Sequence, residues 1–263
     1  MRRYAASILI PLLVAGCAPH FGPNAIHGVT FYSPGAGNID FSDRGIRTGL
    51  TEAGYDGDVS TFVWTISLNP LIDQTVRLNA HIRAVQLARV IEEYIDKYPD
   101  RPVHLVGLSA GTGVNIWALE HLRDGYKVDN VILLSSSLSH QYDVSKALRH
   151  VKGKMYNYYS TVDSVLTVLM QPIGTIDGKL FTAGAGAVGL EAPDGSDRVV
   201  NIPWKTEFKK YGYYGGHTDS TSARFVRKFI APHIVKRDPR TAAAQETAPP
   251  TVPRSPVLAD SSD

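Results

Sequence analysis

Five consecutive residues, Gly107, Leu108, Ser109, Ala110 and Gly111, carry the clearest chemistry in the chain. They follow residues 102–106, a short apolar run that reads as a buried parallel strand. They precede residues 112–122, which read as a helix. A strand that turns through Gly-x-Ser-x-Gly into a helix presents its serine on a tight elbow. A side chain at either flanking glycine would collide with its neighbours. The hydroxyl stands at the helix N-terminus, where backbone N–H groups and the helix dipole favour a developing negative charge. Glycine and serine are common enough that the bare pentapeptide arises by chance in about one chain in ten of this length. The strand and helix around it make that coincidence rarer. The competing reading is a glycine-rich turn with Ser109 as an ordinary N-cap. A serine nucleophile also needs a base and an acid elsewhere in the chain.

The first residues read as a targeting segment and not as part of a fold. Arg2 and Arg3 precede a short apolar stretch, too short and wrongly flanked for a membrane span. It ends in Leu13-Val14-Ala15-Gly16-Cys17, which resembles a bacterial lipobox. That resemblance implies cleavage before Cys17, lipid on Cys17, and anchoring to an envelope membrane, the outer one in a Gram-negative cell. Cys17 is the single cysteine, so no intramolecular disulfide is available and the residue is expected to carry lipid. Removing residues 1–16 takes two of the 27 basic residues and none of the 25 acidic ones. The mature chain is then formally neutral, with no Lys/Arg-rich run to argue for nucleic acid. Residues 17–25 read as a linker and residues 26–236 as one α/β domain of sufficient size for a proper core. Residues 237–263 hold five prolines and few large apolar side chains, the composition of a disordered tail.

Strand and helix candidates alternate between those limits. Strands are expected at residues 26–32, 59–66, 102–106, 130–135 and 154–159. Helices are expected at 46–53, 75–98, 112–122 and 225–235. In the long helix, Leu78, Ile82, Val85, Ala88 and Ile95 follow helical spacing. This order predicts a mostly parallel sheet with helices on both faces, and ligands at the carboxyl ends of its strands.

At this point the chain resembles an α/β-hydrolase over roughly residues 28–235. In that family nucleophile, acid and histidine follow one another in sequence. The resemblance implies Ser109 as nucleophile, Asp163 in Tyr159-Ser160-Thr161-Val162-Asp163-Ser164 as acid, and His217 in Gly215-Gly216-His217-Thr218 as base. Asp177 is the rival acid, more easily read as a turn residue before Gly178. Asp219 is read as a possible helix cap. His81, His104, His121 and His233 fall on elements and read as structural; His140 and His150 lack the glycine-flanked setting. The oxyanion hole is implied at the backbone N–H groups of Ala110 and of Ala36, in Pro34-Gly35-Ala36-Gly37, with Gly35 and Gly37 as alternatives for the second donor. The family's first two strands have no room before residue 26, so a trimmed sheet of about six strands is expected. Residues 166–204 are longer than usual. Their small-residue run, 183–189, either packs on a helix or borders the site.

The resemblance implies a serine hydrolase acting on an ester or related acyl bond, with a small acyl substrate and no metal or organic cofactor. Tyr156, Tyr158, Tyr159, Tyr211, Tyr213 and Tyr214 flank the acid and base segments, as pocket lining or as core. Two other readings stand beside it. One is a catalytically silent hydrolase-like lipoprotein that binds an envelope partner; the other is a peptidase using the same three residues.

Overall fold

The computed structural model describes residues 21–37, 42–64, 73–169 and 174–235. The expected targeting segment with Cys17 and the 237–263 tail lie outside the described residues. Six strands form one sheet: β1 (Val29–Ser33), β2 (Asp58–Thr61), β3 (Val103–Leu108), β4 (Asn130–Leu134), β5 (Met155–Tyr159) and β6 (Val199–Pro203). Their order is β2-β1-β3-β4-β5-β6, and every neighbouring pair is parallel. Among the described residues this is the parallel α/β sheet of about six strands that the order of elements led one to expect.

Successive strand residues point to opposite faces, and each face has its own core. Val103 and Leu105 of β3, with Val131 and Leu133 of β4, pack on one side. Val106, Leu108, Ile132 and Leu134 pack on the other. Helix α1 (Ser42–Glu52) covers the second face together with a last helical run, Ala223–Phe225, Val226–Ile230 and Ala231–His233. The first face is covered by α2 (Asp73–Lys97), α3 (Ala110–His121), α4 (Ser145–Leu148) and α5 (Ala185–Val188). Strands buried on both faces are continuous apolar runs, which is why β3 and β4 stand out in the sequence.

Four details depart from expectation. Strand β6 lies inside residues 166–204, where no strand was expected. It is an edge strand, only partly buried, and Pro203 at its end tolerates that position because one side of the ladder is open. In α2 the core stripe is Ala80, Ala84, Leu87, Ile91 and Tyr94, whereas Leu78 and Ile82 are exposed. Small residues at 80 and 84 let α2 lie close to α3. The last helix is not one regular α-helix: it tightens and loosens through π and 3₁₀ turns. Pro232 has no N–H to donate and its ring clashes with the preceding turn, so an α-helix cannot run through it. Strand β1 starts at Val29 and not at residue 26, because Pro23–Ile26 forms a 3₁₀ turn.

Candidate active site

Ser109 sits between the end of β3 and the first turn of α3, with φ 52° and ψ −123°. A non-glycine residue there is strained and persists only where its surroundings hold it. An ordinary N-cap has β-region dihedrals and a side-chain bond to the helix. Ser109 has neither, and its side chain makes no capping bond. Both flanking glycines are sterically required. A Cβ on Gly107 would lie 2.9 Å from the Cα of Thr112 and from Nδ2 of Asn115. A Cβ on Gly111 would lie 2.2 Å from Ser33 O and 2.4 Å from Pro34 O.

The elbow is held from several sides. Ser109 N–H donates to Leu134 O at 2.9 Å, tying the turn to β4. Ser109 O accepts from Thr112 N at 3.1 Å and from Thr112 Oγ1 at 2.5 Å. Thr112 Oγ1 also lies 2.8 Å from Ser136 Oγ. With its own proton given to Ser109 O, Thr112 Oγ1 accepts from Ser136. Neither Thr112 nor Ser136 was picked out in the sequence, because a threonine three residues past a nucleophile resembles any helix residue.

The loop after β1 lies against the same turn. Pro34 O, beside Gly111, accepts from Trp64 Nε1 at 2.7 Å, and Ser33 Oγ donates to Asn115 Oδ1 at 2.6 Å. These bonds hold residues 33–36 next to the start of α3, and Ala36 packs on the core there. Ala110 opens α3, where the first N–H groups of a helix have no intrahelical acceptor. The two expected donor segments are thus neighbours.

Asp163 follows β5, at the same carboxyl edge of the sheet. Its side chain is 0% exposed. Oδ1 accepts from Val165 N at 3.1 Å and Leu166 N at 3.2 Å, and Oδ2 lies 2.8 Å from His217 Nδ1. These bonds offset the desolvation of a buried carboxylate. With a carboxylate as acceptor, Nδ1 is the donor of this bond, and the ring's other nitrogen, Nε2, is left outside it. Ser109 Oγ forms no hydrogen bond with His217 among the described residues. Such contacts are often long or poorly aligned until substrate binds.

The histidine loop is braced by Asp219, whose Oδ2 accepts from Tyr214 N at 3.1 Å and Gly216 N at 3.0 Å. It does not cap the last helix: it lies within a 3₁₀ turn and its carboxylate reaches back to the histidine loop. Gly215 has φ 99°, and a Cβ there would lie 2.5 Å from Val162 Cγ2, so the base and acid loops interlock. Tyr213 is fully buried beneath them, and burial pushes its hydroxyl well above the usual tyrosine range. It stays protonated beside Asp163.

The rival acid goes elsewhere. Asp177 accepts from Ser139 N at 2.7 Å and from Ser139 Oγ at 2.6 Å, clamping residues 174–178 onto the loop after β4. The small-residue run includes helix α5 and packs against the ends of β4 and β5. Gly186 N donates to Ser136 O and Gly186 O accepts from Ser160 N, both at 2.8 Å. A Cβ on Gly186 would lie 2.3 Å from the Ser135 carbonyl carbon. The run therefore supports the loops that carry Asp163 and the elbow.

Five further histidines are held by stacking or by backbone carbonyls. His81 stacks on Trp117 and His233 on Tyr156, each pair with centroids 3.7 Å apart. His121 bonds Trp117 O and His150 bonds Tyr126 O through Nδ1. His140 Nδ1 lies 3.3 Å from Ala183 O. Of the six tyrosines, Tyr158 and Tyr213 belong to the core, Tyr156 stacks on His233 and Tyr211 packs on Phe229. Tyr214 is 62% exposed beside the base. A cleft of about 520 Å³ opens past β5 between His140, Tyr159, Leu190 and Glu191; neither Ser109, Asp163 nor His217 lines it.

No protein-family model matches the sequence, and no curated protein does. Solved structures of low identity are similar. A cutinase-like protein from Cryptococcus sp. is 14% identical, with a TM-score of 0.43 over 81% of this chain and 98% of that one. A dienelactone hydrolase from Anabaena variabilis is 16% identical, with a TM-score of 0.44 over 78% and 84%. An acetyl xylan esterase is 10% identical, with a TM-score of 0.41 over 76% and 96%.

Proposed function

We propose that the protein is a serine hydrolase that cleaves a carboxylic ester through an acyl-enzyme on Ser109, with His217 as base and Asp163 as its orienting acid. The observation that carries this is the 2.8 Å bond from a buried Asp163 to His217 Nδ1, at the sheet edge where Ser109 is held at φ 52°. Asp163 fixes the tautomer in which Nε2 can accept a proton, and stabilises the imidazolium once it forms.

In the first step the Ser109 Oγ–carbonyl bond forms while His217 Nε2 takes the hydroxyl proton. The oxyanion is met by the N–H groups of Ala110 and Ala36, aimed where charge develops. Collapse breaks the bond to the alcohol, which leaves with the proton from His217. Water, deprotonated by His217, then attacks the acyl carbonyl and releases acid and free Ser109.

The same proposal includes a lipid on Cys17 that holds the domain at an envelope membrane. Its support is the basic n-region, the short apolar stretch and the Leu-Val-Ala-Gly-Cys ending. One experiment tests the chemistry directly. A fluorophosphonate probe should label the wild type and leave Ser109→Ala unlabelled. Equal labelling of both would place the reactive serine elsewhere.

A further inference from the structure

The chain is packed against the domain from Phe21 onward. The Phe21 ring meets Tyr94 and Tyr98 edge-on, at 5.2 and 6.2 Å, near the carboxyl end of α2. Lys97 Nζ lies 5.7 Å from the same ring. Gly22 N–H donates to Asp58 Oδ2 at 3.0 Å, and Tyr94 Oη donates to Ala25 O at 2.6 Å. Asp58 is the first residue of β2 and, through Val29, stands level with Val103 at the start of β3. The exit of the chain therefore lies at the amino-terminal edge of the sheet.

Ser109, Asp163 and His217 lie at the opposite edge. From Val103 to Ser109 the chain climbs six residues, about 20 Å at strand rise. Loops stand at that edge as well: Tyr214 beside the base, and Phe181, 81% exposed, two residues before the Ala183 that bonds to His140 beyond β4. Phe21 is only four positions after Cys17, a reach of at most about 14 Å when fully extended. A pose with the mouth pressed onto the bilayer would lift Phe21 about 20 Å above it, farther than this tether reaches.

We propose that the anchored domain stands with the amino-terminal edge of its sheet on the membrane and the Ser109 mouth turned away from it. The ester it cleaves then arrives from the aqueous compartment and is not drawn from the bilayer that carries the enzyme. This rests on the ester-hydrolase and lipid-anchor reading above.

The test uses the full lipidated chain in phosphatidylcholine vesicles doped with a fluorescent acceptor lipid. Cys17 is consumed by lipid, so an introduced cysteine is a unique site for a short-range donor dye. Asp124→Cys labels the amino-terminal edge and Phe181→Cys the mouth; both positions are exposed. Transfer to the bilayer should be at least twofold stronger from position 124. Equal or stronger transfer from position 181 would overturn the orientation. Vesicle-bound wild type and soluble Cys17→Ser should also turn over a water-soluble p-nitrophenyl ester with kcat/KM equal within about twofold. A tenfold loss on the vesicle would mean the mouth is occluded by the bilayer, and would overturn the proposal too. The parent reading fails in its own way, by a mass spectrum with no lipid on Cys17 or by a soluble form that turns over no ester.

Discussion

Gly111 lies so close to Ser33 that a single added methyl group would stand 2.2 Å from the Ser33 carbonyl oxygen. The neighbour is backbone at the end of a buried strand and cannot swing aside. That contact fixes the loop holding Ala36 against the turn holding Ala110, so one glycine sets the distance between both expected oxyanion donors. Gly111→Ala should therefore damage stability and chemistry together. Overpacking of this kind costs about 1–3 kcal/mol, which in a domain of this size lowers Tm by roughly 2–10 °C. Thermal unfolding and ester turnover on the same sample check it. An unchanged Tm would show that the loop after β1 can retreat.

Asp163 and Asp177 separate chemistry from architecture. Asp163→Asn leaves a group that can donate to Nδ1 and so favours the wrong tautomer of His217. Turnover should fall about 10⁴-fold while the fold persists. Asp177→Asn keeps one acceptor for Ser139 but loses the charge. It should lower stability by about 1 kcal/mol and leave kcat within a few-fold of wild type. Paired measurement of kcat and Tm on both variants separates the roles. A larger kcat loss in Asp177→Asn than in Asp163→Asn would exchange them.

The elbow and the order of the elements were legible because they depend on local pattern. Gly107 and Gly111 flank Ser109 between an apolar run and a helix, and nothing remote is needed to see it. Asp163, not Asp177, came from chain order after a strand, and it is Asp163 that lies against His217. What escaped was set by tertiary contact. Strand β6 is an edge strand with one partner, so its pattern of burial is weak. In α2 two apolar stripes compete, and the alanine stripe faces the core because α3 needs the space. Trp64 bonds the carbonyl of Pro34, thirty residues away, which becomes its neighbour only in the fold.

His233 gives stability a pH dependence separate from activity. It stacks on Tyr156, and Tyr158 Oη, which donates to Phe229 O, lies 3.0 Å from its Nε2. Burial holds its pKa down to about 4, against an ordinary 6.5. Below pH 6.5 the unfolded chain takes up a proton that the folded chain refuses, so stability falls as pH drops from about 6.5 towards 4. His233→Phe keeps the stack on Tyr156 and removes the proton. Its Tm should fall less than that of wild type over that interval. Parallel Tm–pH curves would assign the acid sensitivity to another group.

The central claim is that Ser109 is the nucleophile. The most direct measurement is the rate at which Ser109→Ala hydrolyses a p-nitrophenyl ester, in protein whose circular dichroism and Tm match wild type. Loss of a nucleophile costs about 10⁴–10⁶ in turnover, so the variant should be indistinguishable from background. Retention of more than about a tenth of wild-type turnover would contradict the account, because a lost nucleophile costs far more than tenfold.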